Sequence, residues 1–150
     1  MDPRPTSSPV LRVLTVLVLL AAGWALPTAK ADEIRVTDDT GRELVLERPA
    51  ERIIALYGAY NEILAAMGLE DRLVGRTKAD RLPPSILSRP SIGTHMRPNV
   101  ELVLSLEPDL ILQSAGRREA AAVVQQLRRH GRMVAVFQPH RFPELFSVIE

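Results

Sequence analysis

The side chains in this sequence that could bind a ligand fall into two chemical groups. One group offers flat or polarizable surface and consists of Tyr57, Tyr60, His95 and Met96. The other group carries positive charge and consists of Lys78, Arg97, Arg117 and Arg118. Aromatic faces attract cations and stack on conjugated rings, and guanidinium groups pair with carboxylates. Together the groups indicate an anionic or metal-chelating organic ligand, and solvated loop residues are the alternative interpretation of the cations.

The motifs of the common enzyme classes are missing from the sequence. It has no Gly-x-x-x-x-Gly-Lys or Gly-x-Gly-x-x-Gly phosphate loop, no Gly-x-Ser-x-Gly elbow and no His-Glu-x-x-His pair. The three histidines, His95, His130 and His140, are not at metal-ligand spacing. We therefore expect a binding protein with no catalytic residue, no resident metal and no cofactor. A small exported hydrolase that uses His95 or His140 is the alternative.

The apolar pattern predicts the elements that would position these side chains. Four apolar runs of strand length, at residues 53–57, 72–75, 110–113 and 133–136, alternate with helical patterns at 61–67, 100–106, 117–130 and from Pro143 onward. Two shorter runs, 34–36 and 44–46, flank turn residues 38–41 and predict a hairpin. Apolar strands between helices predict a doubly wound, Rossmann-like α/β lobe with a central parallel sheet, covered by helices on both faces.

Ligands of such lobes meet the loops that leave the carboxyl ends of the strands. Here those loops are residues 57–60, 76–80, 94–97, 114–118 and 137–141. They contain both chemical groups of side chains, so the sequence predicts a binding site at this edge of the sheet.

The N-terminal region reads as a secretory signal. Residues 13–26 form an uninterrupted apolar run, shorter than a membrane span, and Ala29-Lys30-Ala31 has small residues where signal peptidase requires them. We expect residues 1–31 to be a signal peptide cleaved after Ala31, and an uncleaved anchor is the alternative. The sequence has no cysteine, so it has neither disulfides nor a lipid-carrying thiol. The periplasm is the expected location.

The charge of residues 32–150 is nearly balanced. They contain 16 basic and 17 acidic residues, a net charge of −1, and no basic stripe that would suggest a nucleic acid or a membrane surface as partner. Their length suffices for one domain. The carboxylates of Asp38 and Asp39 fall in the predicted hairpin turn, and we expect both to be solvated.

Four segments carry a family resemblance: RIIALYGAYNEILAAMG at residues 52–68, LVGRT at 73–77, IGTH at 92–95 and NVELVLSLEPDLIL at 99–112. In this order they resemble the N-terminal lobe of periplasmic binding proteins for iron chelates, haem and vitamin B12, the helical-backbone class that serves ABC importers. The resemblance implies two α/β lobes joined by a long helix. The second lobe is missing here, so we expect a fragment of a protein about twice as long, with weak ligand binding or none.

The resemblance also implies site residues. Position by position, it assigns ligand contacts to Tyr57, Gly58, Thr77, Lys78, His95, Met96, Arg97, Ser114, Ala115 and Arg117. Glu101 matches a surface glutamate that docks on the inner-membrane permease, although a first-turn carboxylate is also favoured by the helix dipole alone. We expect the protein to be a monomer that binds no nucleic acid.

The ligand itself stays open at this point. His95 and Ser114 stand where the B12 binders have aromatic side chains, which weakens the case for cobalamin. An iron–siderophore chelate is the first expectation, because cations dominate the loops. Haem is the second, with Tyr57, His95 and Met96 as possible axial ligands. A sensory domain that presents its ligand to a receptor is the alternative to a transport component.

Overall fold

The computed structural model describes residues 33–116 and 118–138. Its strands are β1 (Ile34–Thr37), β2 (Glu43–Leu46), β3 (Ile53–Ala55), β4 (Leu73–Gly75), β5 (Leu110–Ser114) and β6 (Val134–Phe137). Its α-helices are α1 (Gly58–Ala66), α2 (Val100–Ser105) and α3 (Arg118–Arg129). Single 3-10 turns occupy Glu70–Arg72 and Pro84–Ile86. The helix expected from Pro143 onward lies outside the described residues.

The predicted α/β fold and hairpin are confirmed. Strands β3 to β6 form a parallel sheet in the order β4-β3-β5-β6, and β1 pairs with β2 as an antiparallel hairpin. Because the strands of the sheet are parallel, their carboxyl ends all lie at one edge. The sheet therefore gathers the loops that the sequence singled out.

Local interactions fix the start of α2 and the ends of α1 and α3. The side chain of Asn99 accepts a hydrogen bond of 3.0 Å from the backbone N–H of Leu102 and caps α2. Gly68 follows α1 and Gly131 follows α3, both with positive φ, a conformation that glycine adopts without a steric penalty.

Strand β3 and helix α1 differ in extent from their predictions. Strand β3 ends at Ala55, and α1 already begins at Gly58, three residues earlier than expected. The reason is that the backbone N–H of Tyr60 bonds to the carbonyl of Tyr57, which closes the first helical turn directly after the strand. Tyr57 and Gly58 are therefore held by a helix N-terminus rather than by a free loop.

Two apolar cores cover the two faces of the sheet. Helices α2 and α3 pack Val103, Val124 and Leu127 against one face, which includes Ile54 and Ile111. Helix α1 packs Tyr60 and Leu64 against the other face. Helices therefore cover both faces of the sheet, as expected. Within the described residues, no helix is long and apolar enough to cross a membrane.

Strands β3 and β5 are joined at their beginnings by a reciprocal set of polar contacts. The carboxylate of Asp109 accepts hydrogen bonds from the backbone N–H groups of Glu51 (2.8 Å) and Arg52 (3.0 Å). The guanidinium of Arg52 donates to the carbonyls of Leu106 (2.6 Å) and Glu107 (3.1 Å), just beyond the end of α2. The Pro108-Asp109 segment therefore has a structural role, because these contacts fix the register in which β3 and β5 begin.

The expectation that both hairpin-turn carboxylates are solvated is wrong for Asp38. Its side chain is buried and bonds to the guanidinium of Arg128 on α3 at 2.8 Å and to the N–H of Val136 at 3.3 Å. Thr40 and Arg42 donate to the same carboxylate. The turn is polar in sequence because it satisfies donors of the sheet, not because it faces water.

This environment changes the acidity of Asp38. Burial alone would raise the pKa of its carboxyl group, but the hydrogen bonds from Thr40, Arg42 and Val136 outweigh burial, so the pKa lies below the ordinary value of 3.8. The ionised form thus stabilises the folded state at every pH above the pKa of the unfolded chain, and this stabilisation is lost as the pH falls through the folded pKa.

We expect Asp38→Asn to lower the free energy of unfolding by about 1–3 kcal/mol at pH 7, because an amide cannot accept all of these bonds. The difference from the wild type should shrink as the pH falls below about 3.9, where the unfolded carboxyl is protonated. Urea unfolding at pH 7 and at pH 3 measures both. Asp71→Asn, at a fully exposed carboxylate, is the control. Equal stability of wild type and Asp38→Asn at pH 7 would show that the buried contacts do not stabilise the fold.

Candidate functional site

A cavity of about 390 Å³ lies at the carboxyl edge of the sheet. It is formed by the segment between β3 and α1, by the loop after β4 and by the loop before α2. Its lining residues are Leu56, Tyr57, Gly58, Ala59, Glu62, Thr77, Ala79, Asp80, Arg81, Leu82 and His95. Parallel sheets bind their ligands at this edge, so this cavity is the candidate site.

Tyr57 and His95 form the aromatic part of the lining. Their ring centroids are 6.1 Å apart with an angle of 76° between the planes, an edge-to-face arrangement. Both residues are exposed. The fold brings their rings together although they lie 38 positions apart in the chain. The pair presents a phenol and an imidazole to the same cavity.

Tyr60 does not belong to the cavity, although the sequence placed it with the ligand-binding side chains. It is buried against the sheet on the face covered by α1, and its hydroxyl donates a 2.7 Å bond to the carbonyl of Phe137. Burial, with a further contribution from the carboxylate of Asp39, raises the pKa of Tyr60 to about 12. Its phenol is therefore neutral at physiological pH and is held in the core.

Gln113 fixes the loop that carries His95. Its side chain on β5 is fully buried and donates a 3.0 Å bond to the backbone carbonyl of His95. Its amide oxygen accepts a 2.9 Å bond from the N–H of Ser114. Sequence reasoning missed Gln113, and the signal for it was a polar residue inside an otherwise apolar strand.

The loops after β4 and before α2 are bonded to each other. The N–H of Lys78 donates a 2.6 Å bond to the carbonyl of Gly93, and residues 76 and 91 form a parallel bridge. Gly93 has φ of 98°, and a Cβ there would lie 2.9 Å from the carbonyl oxygen of Arg97. Glycine is required at this position, because any other residue would be strained and would displace the loop that bears His95.

Asp80 lies buried at the base of the cavity. Its carboxylate accepts bonds from the side-chain amide of Asn61 (2.7 Å), the N–H of Thr77 (2.6 Å) and the hydroxyl of Thr77 (2.8 Å). The sequence carried a signal for this cluster, since Thr-x-x-Asp is the spacing at which side chains cap a turn reciprocally. We did not recognise it from the sequence.

The predicted ligand contacts are thus divided by the fold. Four of them, Tyr57, Gly58, Thr77 and His95, line the cavity together. Lys78, Met96 and Arg97 lie in the same loops but are not among the lining residues, and Lys78 and Arg97 are exposed. Ser114 and Ala115 line a separate cavity of about 300 Å³ beside α3. Arg117 lies outside the described residues.

The charge of the cavity differs from the sequence-based expectation. Its charged lining residues are Glu62, Asp80 and Arg81, so cations do not dominate. The guanidinium of Arg81 donates to the carbonyls of Lys78 and Asp80. Among the described residues, no three histidine, aspartate or glutamate side chains are grouped so as to hold a bare metal ion.

A four-stranded parallel sheet with a ligand-sized cavity at its carboxyl edge defines a ligand-binding α/β lobe. The periplasmic binding protein family matches the chain over residues 53–138, which is more than half of its length. The chain belongs to this family. The family comprises binding proteins that serve transport, in agreement with the expectation of a binding protein rather than an enzyme.

Three similar proteins illustrate the family. The chain is 30% identical over 149 residues to the uncharacterized ABC transporter substrate-binding lipoprotein YvrC of Bacillus subtilis (strain 168), which covers 91% of this chain and 47% of YvrC. It is 42% identical over 64 residues to the vitamin B12-binding protein of Vibrio cholerae, covering 43% of this chain and 23% of that protein. The crystal structure of the heme binding protein HmuT superposes with a TM-score of 0.62 at 30% identity, over 77% of this chain and 39% of HmuT.

The chain therefore spans about half or less of the length of these relatives. The named relatives are substrate-binding or ligand-binding proteins, and the family is one that acts outside the cytoplasmic membrane.

We expect Gln113→Leu to lower the free energy of unfolding by about 1–3 kcal/mol, because it leaves the His95 carbonyl and the Ser114 N–H without their buried partner. Urea unfolding measures the change. Gln125→Leu, at an exposed position of α3, is the matched control and should differ from the wild type by less than about 0.5 kcal/mol. If both variants lose the same stability, the Gln113 side chain does not hold the His95 loop.

Proposed function

We propose that this chain is the ligand-capturing part of the solute receptor of an ABC importer and that its carboxyl-edge cavity binds a metal–organic ligand. The observation that supports this most directly is the Tyr57–His95 pair, which is exposed to the cavity and held by two separate segments, the start of α1 and the loop before α2. Conjugated ligands stack on aromatic rings, and phenol and imidazole are established ligands of haem iron. The function of named relatives, vitamin B12 and haem binding among them, supports the same class of ligand.

Within this class we propose haem in preference to an anionic iron–siderophore chelate. The siderophore was expected because cations dominate the loops, but Arg81 is the one basic residue in the described lining, beside Glu62 and Asp80. A lining with two acids and one base gives little electrostatic advantage to any anionic ligand, the haem propionates included, so the preference rests on the aromatic pair and not on charge. A planar ligand gains instead from the edge-to-face ring pair. The exposed Lys78 and Arg97 are the feature that keeps a ferric siderophore in the test as the second candidate.

Titration of the 150-residue chain with haem should perturb the NMR signals of the Tyr57 and His95 rings before those of Tyr60 and His130. The sequence contains two tyrosines and three histidines, so selective isotope labelling gives few signals to assign. Weak binding suffices for this measurement, which suits a chain that spans half of its relatives. Tyr57→Ala should weaken haem binding about fivefold or more, because a stacked aromatic contact is worth about 1 kcal/mol.

Tyr60→Phe is the matched control for Tyr57→Ala, because it removes the bond to Phe137 but keeps the buried ring. It should retain the affinity for haem. A ferric hydroxamate siderophore and cobalamin are titrated in parallel. If the siderophore perturbs Tyr57 and His95 while haem does not, haem is the wrong ligand. If a ligand binds to the chain and leaves these rings unperturbed, the cavity is not the binding site.

We further propose that Glu101 docks on the permease. It lies exposed in the first turn of α2, directly after the loop that carries His95. An exposed carboxylate contributes little to folding at this position, about 0.3–1 kcal/mol through the helix dipole, and is free to pair with a basic partner. A helix that directly follows the loop of His95 suits a residue that aligns the loaded site with a membrane entrance.

Charge reversal tests the docking role. In cells that import haem through this protein, Glu101→Arg should reduce the uptake rate about tenfold or more, because like charges then meet at the interface. Ligand binding by the purified variant should be unchanged. Glu119→Arg, in the exposed first turn of α3, is the control. Normal uptake with Glu101→Arg would remove Glu101 from the interface.

Export through a signal peptide at residues 1–31, cleavage after Ala31 and a free periplasmic monomer remain predictions from the sequence, since these residues lie outside the described part. The absence of cysteine distinguishes this chain from lipoprotein relatives such as YvrC, because lipid attachment requires a cysteine thiol.

A further inference from the structure

We propose that Asp80 is a positioning residue that sets Tyr57 opposite His95. The proposal deepens the proposed function, because it concerns the same cavity, but its central measurement requires no ligand. Neither the family resemblance nor the sequence pattern of aromatic and basic side chains had drawn attention to Asp80.

As a first line of evidence, the side chain of Asp80 joins helix α1 to the loop after β4. Its carboxylate accepts one bond from Asn61, in the first half of α1, and two from Thr77, which follows β4. All three residues are buried. The bond from Asn61 ties α1 to the loop after β4, and the two bonds from Thr77 fix the turn of that loop which holds the carboxylate; all three, at 2.6–2.8 Å, are short and charge-assisted.

The second line of evidence is the absence of a side chain at Gly58. A Cβ at this position would lie 2.8 Å from Oδ1 of Asp80, closer than real Cβ atoms approach an oxygen. The φ of Gly58 is not in the left-handed region, so backbone conformation does not require glycine here. Close approach of the Asp80 carboxylate to the start of α1 requires it. Tyr57, the preceding residue, is thereby held at the same place.

The third line of evidence connects Asp80 to His95. Thr77, which Asp80 holds by its backbone and its hydroxyl, precedes Lys78, whose N–H bonds to the carbonyl of Gly93. Gly93 lies two residues before His95. One buried carboxylate therefore controls both sides of the ring pair, Tyr57 through α1 and His95 through the loop after β4.

The carboxylate of Asp80 is stabilised by these hydrogen-bond donors and not by a basic side chain. In the described part of the chain, no lysine, arginine or histidine lies within ion-pair distance of its carboxylate, and the neighbouring Arg81 donates to backbone carbonyls instead. A purely structural ion pair would not need the cavity. A carboxylate in the loop after β4 that is bonded to α1 is suited to keep this loop and the helix at a fixed separation.

The experiment measures the contact between the two rings in the 150-residue chain. With labelled tyrosine and histidine, the wild type should show a nuclear Overhauser effect between the rings of Tyr57 and His95. Asp80→Ala should abolish it. Asp80→Asn should retain it, because the amide oxygen still accepts from Asn61 and Thr77 and the amide nitrogen can donate to the Thr77 hydroxyl, which also accepts. Asp71→Ala, at an exposed aspartate, should have no effect.

Gly58→Ala provides an independent test by a double-mutant cycle. Alone, it should abolish the ring contact, because the added methyl group meets Oδ1 of Asp80. In the Asp80→Ala background it should cause no additional change in the ring signals, because the oxygen is gone. Gly116→Ala is the matched control, since a Cβ there meets no atom within 4 Å.

The outcomes separate this proposal from the proposed function. If Asp80→Ala folds and keeps the ring contact, Asp80 is not a positioning residue, whatever its effect on stability. If Asp80→Ala folds, additive effects of Gly58→Ala in the presence and absence of the Asp80 carboxylate overturn the proposal. If Asp80→Ala does not fold, Gly58→Ala alone decides the question, and a ring contact retained in that variant overturns the proposal. Loss of the contact together with at least about fivefold weaker haem binding supports both ideas. Loss of the contact in a chain that binds no haem, even as wild type, supports the role of Asp80 and contradicts the ligand.

Discussion

The carboxylate of Asp109 and the guanidinium of Arg52 hold the beginnings of β3 and β5 together by four hydrogen bonds to backbone groups. In a parallel sheet the strands run in one direction from a common level, so contacts at their beginnings decide where their carboxyl ends lie. Strand β3 leads directly into Tyr57, and β5 carries Gln113, which grips the loop of His95. A slip between these two strands would separate the halves of the cavity. The site therefore depends on a polar contact at the opposite edge of the sheet.

Buried polar side chains give the cavity its shape. Asp80 and Gln113 are both almost without solvent exposure, and each satisfies backbone groups of a loop that an apolar side chain would leave unpaired. Asp38 has the same role at the hairpin turn, where it joins β6 and α3. The net contribution of such groups to the free energy of unfolding is smaller than the cost of removing one of them, because desolvation offsets part of their bonds while removal leaves a buried partner unpaired. These groups contribute geometric specificity, because a hydrogen bond holds a loop at one distance and one angle, whereas apolar contacts permit sliding.

The distribution of charge in the cavity changes the interpretation of the family resemblance. Loop cations in the sequence suggested an anionic chelate, but the described lining combines Glu62 and Asp80 with Arg81. The exposed cations Lys78 and Arg97 are not among the lining residues. The aromatic pair of Tyr57 and His95 is therefore the most distinctive feature of the cavity. Ser114 and Ala115, assigned to the ligand by resemblance, line another cavity because β5 carries them toward α3.

The sequence by itself determined the strands, the helices and the parallel arrangement, because apolar runs, the Asn99 cap and the glycines after α1 and α3 act locally. It also determined which loops would meet, since parallel strands end at one edge. It did not reveal that Tyr60 turns into the core while Tyr57 faces the cavity, because the start of α1 depends on a bond that forms only when β3 ends at Ala55. The long-range partners of Asp38, Asp80 and Gln113 were decided by the tertiary structure, although Thr-x-x-Asp and a polar residue in an apolar strand marked two of these positions. The partners of these three side chains lie between 1 and 98 positions away along the chain, and the residue type alone does not decide whether a polar side chain meets water or a buried backbone group.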